Sequence, residues 1–324
     1  MISSPVALHD VVRAAARIAP FVRRTPLERS VPLSAELGID VWLKLECWQR
    51  TGSFKLRGAL NRLLTLSEEA RARGVATCSA GNHGLGVAEA SWLTGVPATV
   101  VVPGNVSSAK LAGLRLSGAE VLIVGADYDE AEARAPEIAA SLGLTFVSPY
   151  DDPAVVAGAG TVTLEILEEL PEAGTLVVPI GGGGLAAGAA VVAGTVAPGL
   201  RLVGAQAAAS PAMHAALAAG RLVPVADRPT LADGLAGNVA AGSMTFPLVR
   251  DAFAAIALVD EAAIGGAMLT LLDRHRVVVE GSGAVGLAAL RSGALSGSSE
   301  PVVLLVSGGN VATDVLSGLL CAGS

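Results

Sequence analysis

The feature that most constrains this chain is the run Leu176-Val177-Val178-Pro179-Ile180, followed at once by Gly181-Gly182-Gly183-Gly184-Leu185. A short, uninterrupted apolar run reads as a strand buried on both faces, the environment that a parallel sheet covered by helices provides. Four glycines between a strand and a helix let the backbone wrap closely around a phosphate, and the helix dipole adds to the attraction. A flexible linker is the other use of a glycine run, but strand and helix patterns flank this one and no Ser/Gly low complexity surrounds it. A dinucleotide turn also fits poorly. The spaced G-x-G-x-x-G pattern is missing, and Arg201 and Leu202 stand where an acidic ribose contact is expected, roughly 20 positions on.

The same strand–loop–helix signature recurs. Val75-Ala76-Thr77-Cys78 leads into Ser79-Ala80-Gly81-Asn82-His83-Gly84 and then a helical pattern from Leu85 to Leu93. Small residues at such a turn leave N–H groups free for a carboxylate, and Asn82 offers a side-chain amide to a ring hydroxyl. Val302 to Val306 is a last buried strand, ending in Ser307-Gly308-Gly309-Asn310; a serine at the carboxyl end of such a strand faces the ligand crevice. Ala98–Val102 and Val121–Val124 read as further strands, with helices near 107–116 and 128–142. The alternation predicts an α/β chain with parallel sheets and helices on both faces. Ser292–Ser299 reads as a flexible loop, and no repeats are present.

Lys55 lies in Thr51-Gly52-Ser53-Phe54-Lys55-Leu56-Arg57-Gly58-Ala59. A lysine amine forms a Schiff base with an aldehyde cofactor and, once released, is a base. Thr51-Gly52-Ser53 is turn chemistry, and a helix from Leu56 to Leu66 starts just beyond it. Lys55 would stand at the helix N-terminus, where the positive dipole end lowers its pKa. An ordinary surface lysine opening an amphipathic helix is the alternative.

These four segments, in the chain order Lys55 turn, Asn82 turn, glycine run and Ser307 turn, resemble the fold-type II pyridoxal-phosphate enzymes, and among them the threonine dehydratase and serine racemase family. The resemblance runs from Arg24-Thr25-Pro26-Leu27 and Lys44-Leu45-Glu46 to Ser307-Gly308-Gly309-Asn310. It implies a tryptophan synthase β-like fold of two open parallel-sheet subdomains, with 1–75 and 147–324 as the large domain, 76–146 as the small one, and pyridoxal 5'-phosphate in the cleft between them. It makes Lys55 the catalytic lysine and Phe54 a ring contact. Asn82 becomes the partner of the cofactor's 3'-oxygen, Gly181, Gly182, Gly183, Gly184 and Leu185 hold the phosphate, and Ser307 meets the pyridine nitrogen. Glu280 matches a family glutamate near the ring; a strand-end carboxylate capping the next helix is an equally good reading. Ser79, Ala80, Gly81, Asn82 and His83 line the substrate side. A histidine beside a glycine turn is more often structural than catalytic, so His83 is also expected to support the Asn82 loop, and Asp233 is expected near the substrate. His9, His214 and His275 have no partners that sequence shows.

Composition agrees. At 324 residues, 52% hydrophobic and 3% aromatic, the chain suits a buried parallel sheet in two subdomains. Ala173 to Leu200 is uncharged, but Pro179, the glycines and Pro198 interrupt it, so it reads as globular core and not as a membrane span. Net charge −7 leaves no basic patch for nucleic acid. Met1-Ile2-Ser3-Ser4-Pro5 lacks a signal-peptide start, so a cytoplasmic location is expected. The widely spaced Cys47, Cys78 and Cys321 suggest reduced thiols, with neither zinc nor disulfides. Gln206, Ser210 and Ala212 supply little to a hard cation, so no metal is expected. A homodimer or homotetramer is expected from the family, and feedback by isoleucine is not.

The residues imply β-elimination. An amino acid displaces Lys55, and the freed amine takes the Cα proton. A hydroxyl at the ring nitrogen cannot keep a proton there as a carboxylate would, so negative charge stays near Cα and the β-hydroxyl is expelled. L-threonine or L-serine would yield a 2-oxo acid and ammonia. The alternatives are 3-hydroxyaspartate, a hydroxyectoine-derived amino acid, serine racemisation, or a regulatory protein that binds the cofactor without turnover. Racemases of the family carry serine where Ala80 stands, so racemisation is expected to be slow.

Overall fold

In the strand Val302–Val306, Val302, Leu304 and Val306 pack with Met268, Leu271 and Leu287 on one side, while Val303 and Leu305 pack with Ile166, Ala189 and Val249 on the other. That alternation is the period-two geometry of a strand with helices on both faces. The computed structural model describes residues 5–295 and 297–322, so Met1–Ser4 and Ser296 of the 292–299 segment lie outside the described residues.

The strands are β1 (Leu27–Arg29), β2 (Val41–Leu45), β3 (Val75–Cys78), β4 (Ala98–Val102), β5 (Glu120–Ile123), β6 (Thr145–Phe146), β7 (Thr175–Pro179), β8 (Arg201–Ala207), β9 (Phe253–Val259) and β10 (Val302–Val306). Six form one sheet in the order β1-β2-β10-β7-β8-β9, and four form a second in the order β5-β4-β3-β6. Among the described residues every pairing is parallel except β1 with β2, an antiparallel edge that the sequence pattern did not reveal. β1 is three residues long and mostly exposed, too short to carry a readable alternation.

Glycines set how closely the helices pack. A Cβ on Gly158, in the helix Pro153–Glu169, would lie 2.5 Å from Arg57 O and 2.8 Å from the Cα of Gly58 in the helix Lys55–Leu64. The opposite side of the Lys55 helix packs through Leu56, Leu60 and Leu63 on Val75, Val87 and Ala90 of the second sheet and its helix Asn82–Thr94. The Lys55 helix is therefore a wedge between the two sheets, with its N-terminus at their carboxyl edges.

Among the described residues no helix is long and apolar enough to cross a membrane, and no group of three His, Cys, Asp or Glu side chains could hold a metal ion. Cys47 and Cys78 are buried, and burial pushes both thiols up to about 12.

Candidate active site

The turn before Lys55 is held to the end of β10. Ser53 bridges Gly308, Phe54 N donates to Ser307 O at 3.1 Å, and Gly309 N donates to Gly52 O at 2.9 Å. Beyond the turn, the buried guanidinium of Arg57 donates to both oxygens of Glu46 at 2.8 Å and to Glu165 at 2.6 and 2.9 Å. Lys44 joins the cluster, donating to Glu165 at 2.7 Å. Buried charges are tolerated only when paired and hydrogen-bonded, so this cluster ties the Lys55 helix to β2 and to the helix Pro153–Glu169 in one register.

Lys55 itself is the first residue of its helix, one position earlier than the sequence pattern places the start. Its Nζ donates to Pro149 O at 2.9 Å and sits 5.2 Å from the Phe54 ring centre. Burial lowers its pKa to about 8, against an opposing pull from Glu280. The expected direction holds, but its cause is desolvation.

The glycine loop closes on itself from three sides. A Cβ on Gly181 would lie 2.9 Å from Leu235 Cα, one on Gly182 within 2.6 Å of Tyr150 Cε1, and one on Gly183 2.9 Å from Thr245 Oγ1. Gly183 has φ +91°, open to glycine at no steric cost, and Thr245 Oγ1 donates to Gly182 O at 2.7 Å. The following helix runs Gly184–Val196, so the loop feeds a helix N-terminus. Among the described residues no protein acceptor takes the N–H groups of Gly181 to Leu185. Unpaired amides in a cradle that any side chain would fill fit a phosphate. Tyr150, Leu235 and Thr245 had no sequence signal, because each reaches the loop from a distant segment.

Asn82 and His83 form the first turn of the helix Asn82–Thr94, not the preceding loop. Asn82 Nδ2 donates to Glu280 Oε1 at 2.6 Å, and Asn82 Oδ1 accepts from Asn310 Nδ2 at 2.7 Å. Glu280 occupies the N-cap position of the helix Gly281–Arg291, yet its carboxylate makes no cap bond. The carboxylate meets Asn82 and not the helix that it precedes. Burial first, and then Asp233, raise its pKa to about 7. Asp233 is exposed and pairs with Lys110 at 2.9 Å, across from the second sheet. Ser79 Oγ accepts from Gly81 N at 3.2 Å, and a Cβ on Gly81 would meet open space. Ala80 leans on Val100, Val102 and Leu114, so its methyl packs into the core of the second sheet.

Ser307, buried at the end of β10, donates only weakly to Ser282 O at 3.4 Å, and the hydroxyls of Ser53 and Ser282 have no partner among the described residues. Buried hydroxyls without partners beside Lys55 are what a polar ring requires. The residues present therefore fit a cofactor with a carbonyl for Lys55, a phosphate for the glycine loop and polar ring atoms between them.

Comparison with known proteins agrees with that chemistry. The chain is 45% identical over 280 residues to an L-threonine ammonia-lyase of Geobacter sulfurreducens, covering 85% of this chain and 69% of the relative. It is 39% identical to a catabolic L-threonine dehydratase of Escherichia coli, covering 95% and 94% of the two chains. The structure of maize serine racemase superposes with a TM-score of 0.91 at 35% identity, covering 98% of each chain. Residues 18–308 match the profile described as "Pyridoxal-phosphate dependent enzyme". With Lys55, the glycine cradle and the unpaired hydroxyls already in place for such a cofactor, the chain belongs to the pyridoxal-phosphate dependent enzymes, as a fold-type II member.

Proposed function

We propose that this protein removes the β-hydroxyl and the amino group of L-threonine or L-serine, releasing a 2-oxo acid and ammonia. The observation that carries the reading is the pairing of a desolvated Lys55 amine, with pKa about 8, with Ser307 in place of a carboxylate at the end of β10. The names of the relatives, threonine ammonia-lyase and threonine dehydratase, support it. Lys55 would anchor the cofactor, the N–H groups of Gly181 to Leu185 its phosphate, Asn82 its 3'-oxygen and Ser307 its ring nitrogen, with Phe54 and Glu280 beside the ring. The first-turn N–H groups at Asn82 and His83, with Ser79, Ala80 and Gly81, would receive the substrate carboxylate.

When bound, the cofactor supplies a conjugated system that accepts the electrons of the Cα–H bond. The chain's own groups do the rest. The Lys55 amine takes the proton from Cα, and the same proton leaves with the β-hydroxyl as water; water then hydrolyses the released unsaturated amine, supplying the 2-oxo oxygen and freeing ammonia. Residues 76–146 would form the small domain, and the cleft between it and the remainder would exclude solvent. Assembly as a homodimer or homotetramer in the cytoplasm belongs to the same proposal; exposed Trp92 and Leu116 are large apolar side chains that such contacts would cover.

A screen of L-threonine, L-serine and 3-hydroxyaspartate for 2-oxo acid and ammonia tests the proposal. Turnover of the first two is expected. Cofactor binding with no ammonia from any of them would make the protein a non-catalytic binder, and turnover of 3-hydroxyaspartate alone would reassign the substrate.

A further inference from the structure

His83 follows Asn82 in the first turn of its helix and is 3% exposed. Its ring Nε2 lies 3.2 Å from Val147 O, and a carbonyl only accepts, so Nε2 carries the hydrogen and Nδ1 a lone pair. That buried Nδ1 has no partner among the described residues. Burial first, and the neighbouring Lys55 charge second, hold the ring's pKa down at about 3, so the ring stays neutral. One turn along the helix, a Cβ on Gly86 would lie 3.1 Å from the backbone carbon of Lys55, which brings this face of the helix against the lysine. Val147 and Pro149, two residues apart, each offer a carbonyl here, one to His83 and one to Lys55.

We infer that His83 Nδ1 is the second acceptor for the released Lys55 amine, which makes His83 a positioning residue for proton abstraction. The inference rests on the function proposed above. A neutral amine has two N–H bonds and one lone pair. With Pro149 O taking one hydrogen, as it does at 2.9 Å, and Nδ1 the other, both N–H bonds are engaged and the lone pair is left free to take the Cα proton. An acceptor buried without a donor is destabilising, a cost that disappears when the amine donates to it. The neutral imidazole takes no proton itself; the Cα proton stays on Lys55 until it leaves with the hydroxyl.

Two variants of the holoenzyme separate this role from simple support of the loop. In His83→Asn the amide oxygen stands near the place of Nδ1 but cannot reach Val147. In His83→Gln the amide N–H reaches Val147, but no acceptor is left near Lys55. We expect His83→Gln to lose on the order of 100-fold in kcat with the visible cofactor band kept, and His83→Asn to recover most of that loss, with a kcat at least about tenfold above that of His83→Gln. A second readout is independent of turnover. Only four histidines are present, so 15N-histidine labelling resolves His83. L-alanine, which lacks a β-leaving group, frees Lys55 when added to the holoenzyme, and the Nδ1 resonance should then move upfield as it accepts a hydrogen bond. An Nδ1 resonance that does not move, or His83→Asn impaired more than His83→Gln, would overturn the inference. If the native protein releases no 2-oxo acid from any substrate, the proposed function fails while the resonance still decides the role of His83. If a variant does not fold, the native spectrum decides alone.

Discussion

Asn82 donates a 2.6 Å hydrogen bond to Glu280, joining the first helical turn after β3 to the N-cap position of a helix that packs on the six-stranded sheet. The two residues are 198 positions apart in the chain. The bond spans the two sheets at their carboxyl edges, and Asn310 holds the other end of the same amide at 2.7 Å. Asn82 is thereby oriented by Glu280 at its amide nitrogen and by Asn310 at its amide oxygen.

The Glu280 carboxyl should make stability depend on pH. Its folded pKa, about 7, lies above the ordinary value near 4.3, so the native state binds the extra proton between those values. Its stabilising contribution is full below about pH 4 and is lost as pH rises through about 7. Glu280→Gln, neutral throughout, should therefore be more stable than the native protein at pH 8 by up to about 3 kcal/mol, with the difference shrinking toward pH 5. Asp233, Lys110, Asn82 and Asn310 face the same carboxyl and are unchanged in the variant. Thermal melts at the two pH values check this; an equal shift at both would show that charge is not involved.

Lys55→Ala should abolish turnover and the visible absorbance of the lysine-bound cofactor. In the native chain the depressed pKa makes the neutral amine dominant above about pH 8. Capture of pyridoxal phosphate by the cofactor-free protein should accelerate from pH 6 to 8 and then level off, as followed by stopped-flow absorbance. A midpoint near 10 would mean a solvated amine.

Gly182→Ala should empty the phosphate cradle. The added methyl would lie within 2.6 Å of Tyr150 Cε1, and repacking costs about 1–3 kcal/mol. Absorbance titration should show cofactor affinity reduced by about tenfold or more. Gly194→Ala, in the helix that follows the loop and where a Cβ meets nothing within 4 Å, is the control and should stabilise by up to about 1 kcal/mol. Equal affinities in the two variants would remove the phosphate from this loop.

Arg57→Met should destabilise the fold by about 3–5 kcal/mol, because Glu46 and Glu165 are left facing each other with only Lys44 to offset them. The Arg57 charge, supported by Lys44, holds the Glu165 carboxyl below its ordinary range despite burial. Urea unfolding measures the loss. A change under about 1 kcal/mol would show that the cluster is dispensable.

The turns that carry Lys55, Asn82, the glycines and Ser307 were legible as junctions between elements, because turn chemistry and apolar periodicity coincide there within about ten residues. β3, β4 and β10 were legible for the same reason, as unbroken apolar runs with the bounds found in the structure. Local sequence also carried the α/β class, since that class follows from alternating periods alone. Only tertiary structure decided which distant side chains complete the site. Tyr150 and Thr245 close the glycine cradle, Pro149 holds the Lys55 amine, and Glu280 turns from the helix it precedes to Asn82. Their roles arise from proximity across two sheets and from the loss of water around Lys55 and Glu280. Neither proximity nor desolvation is a property of any short stretch of chain.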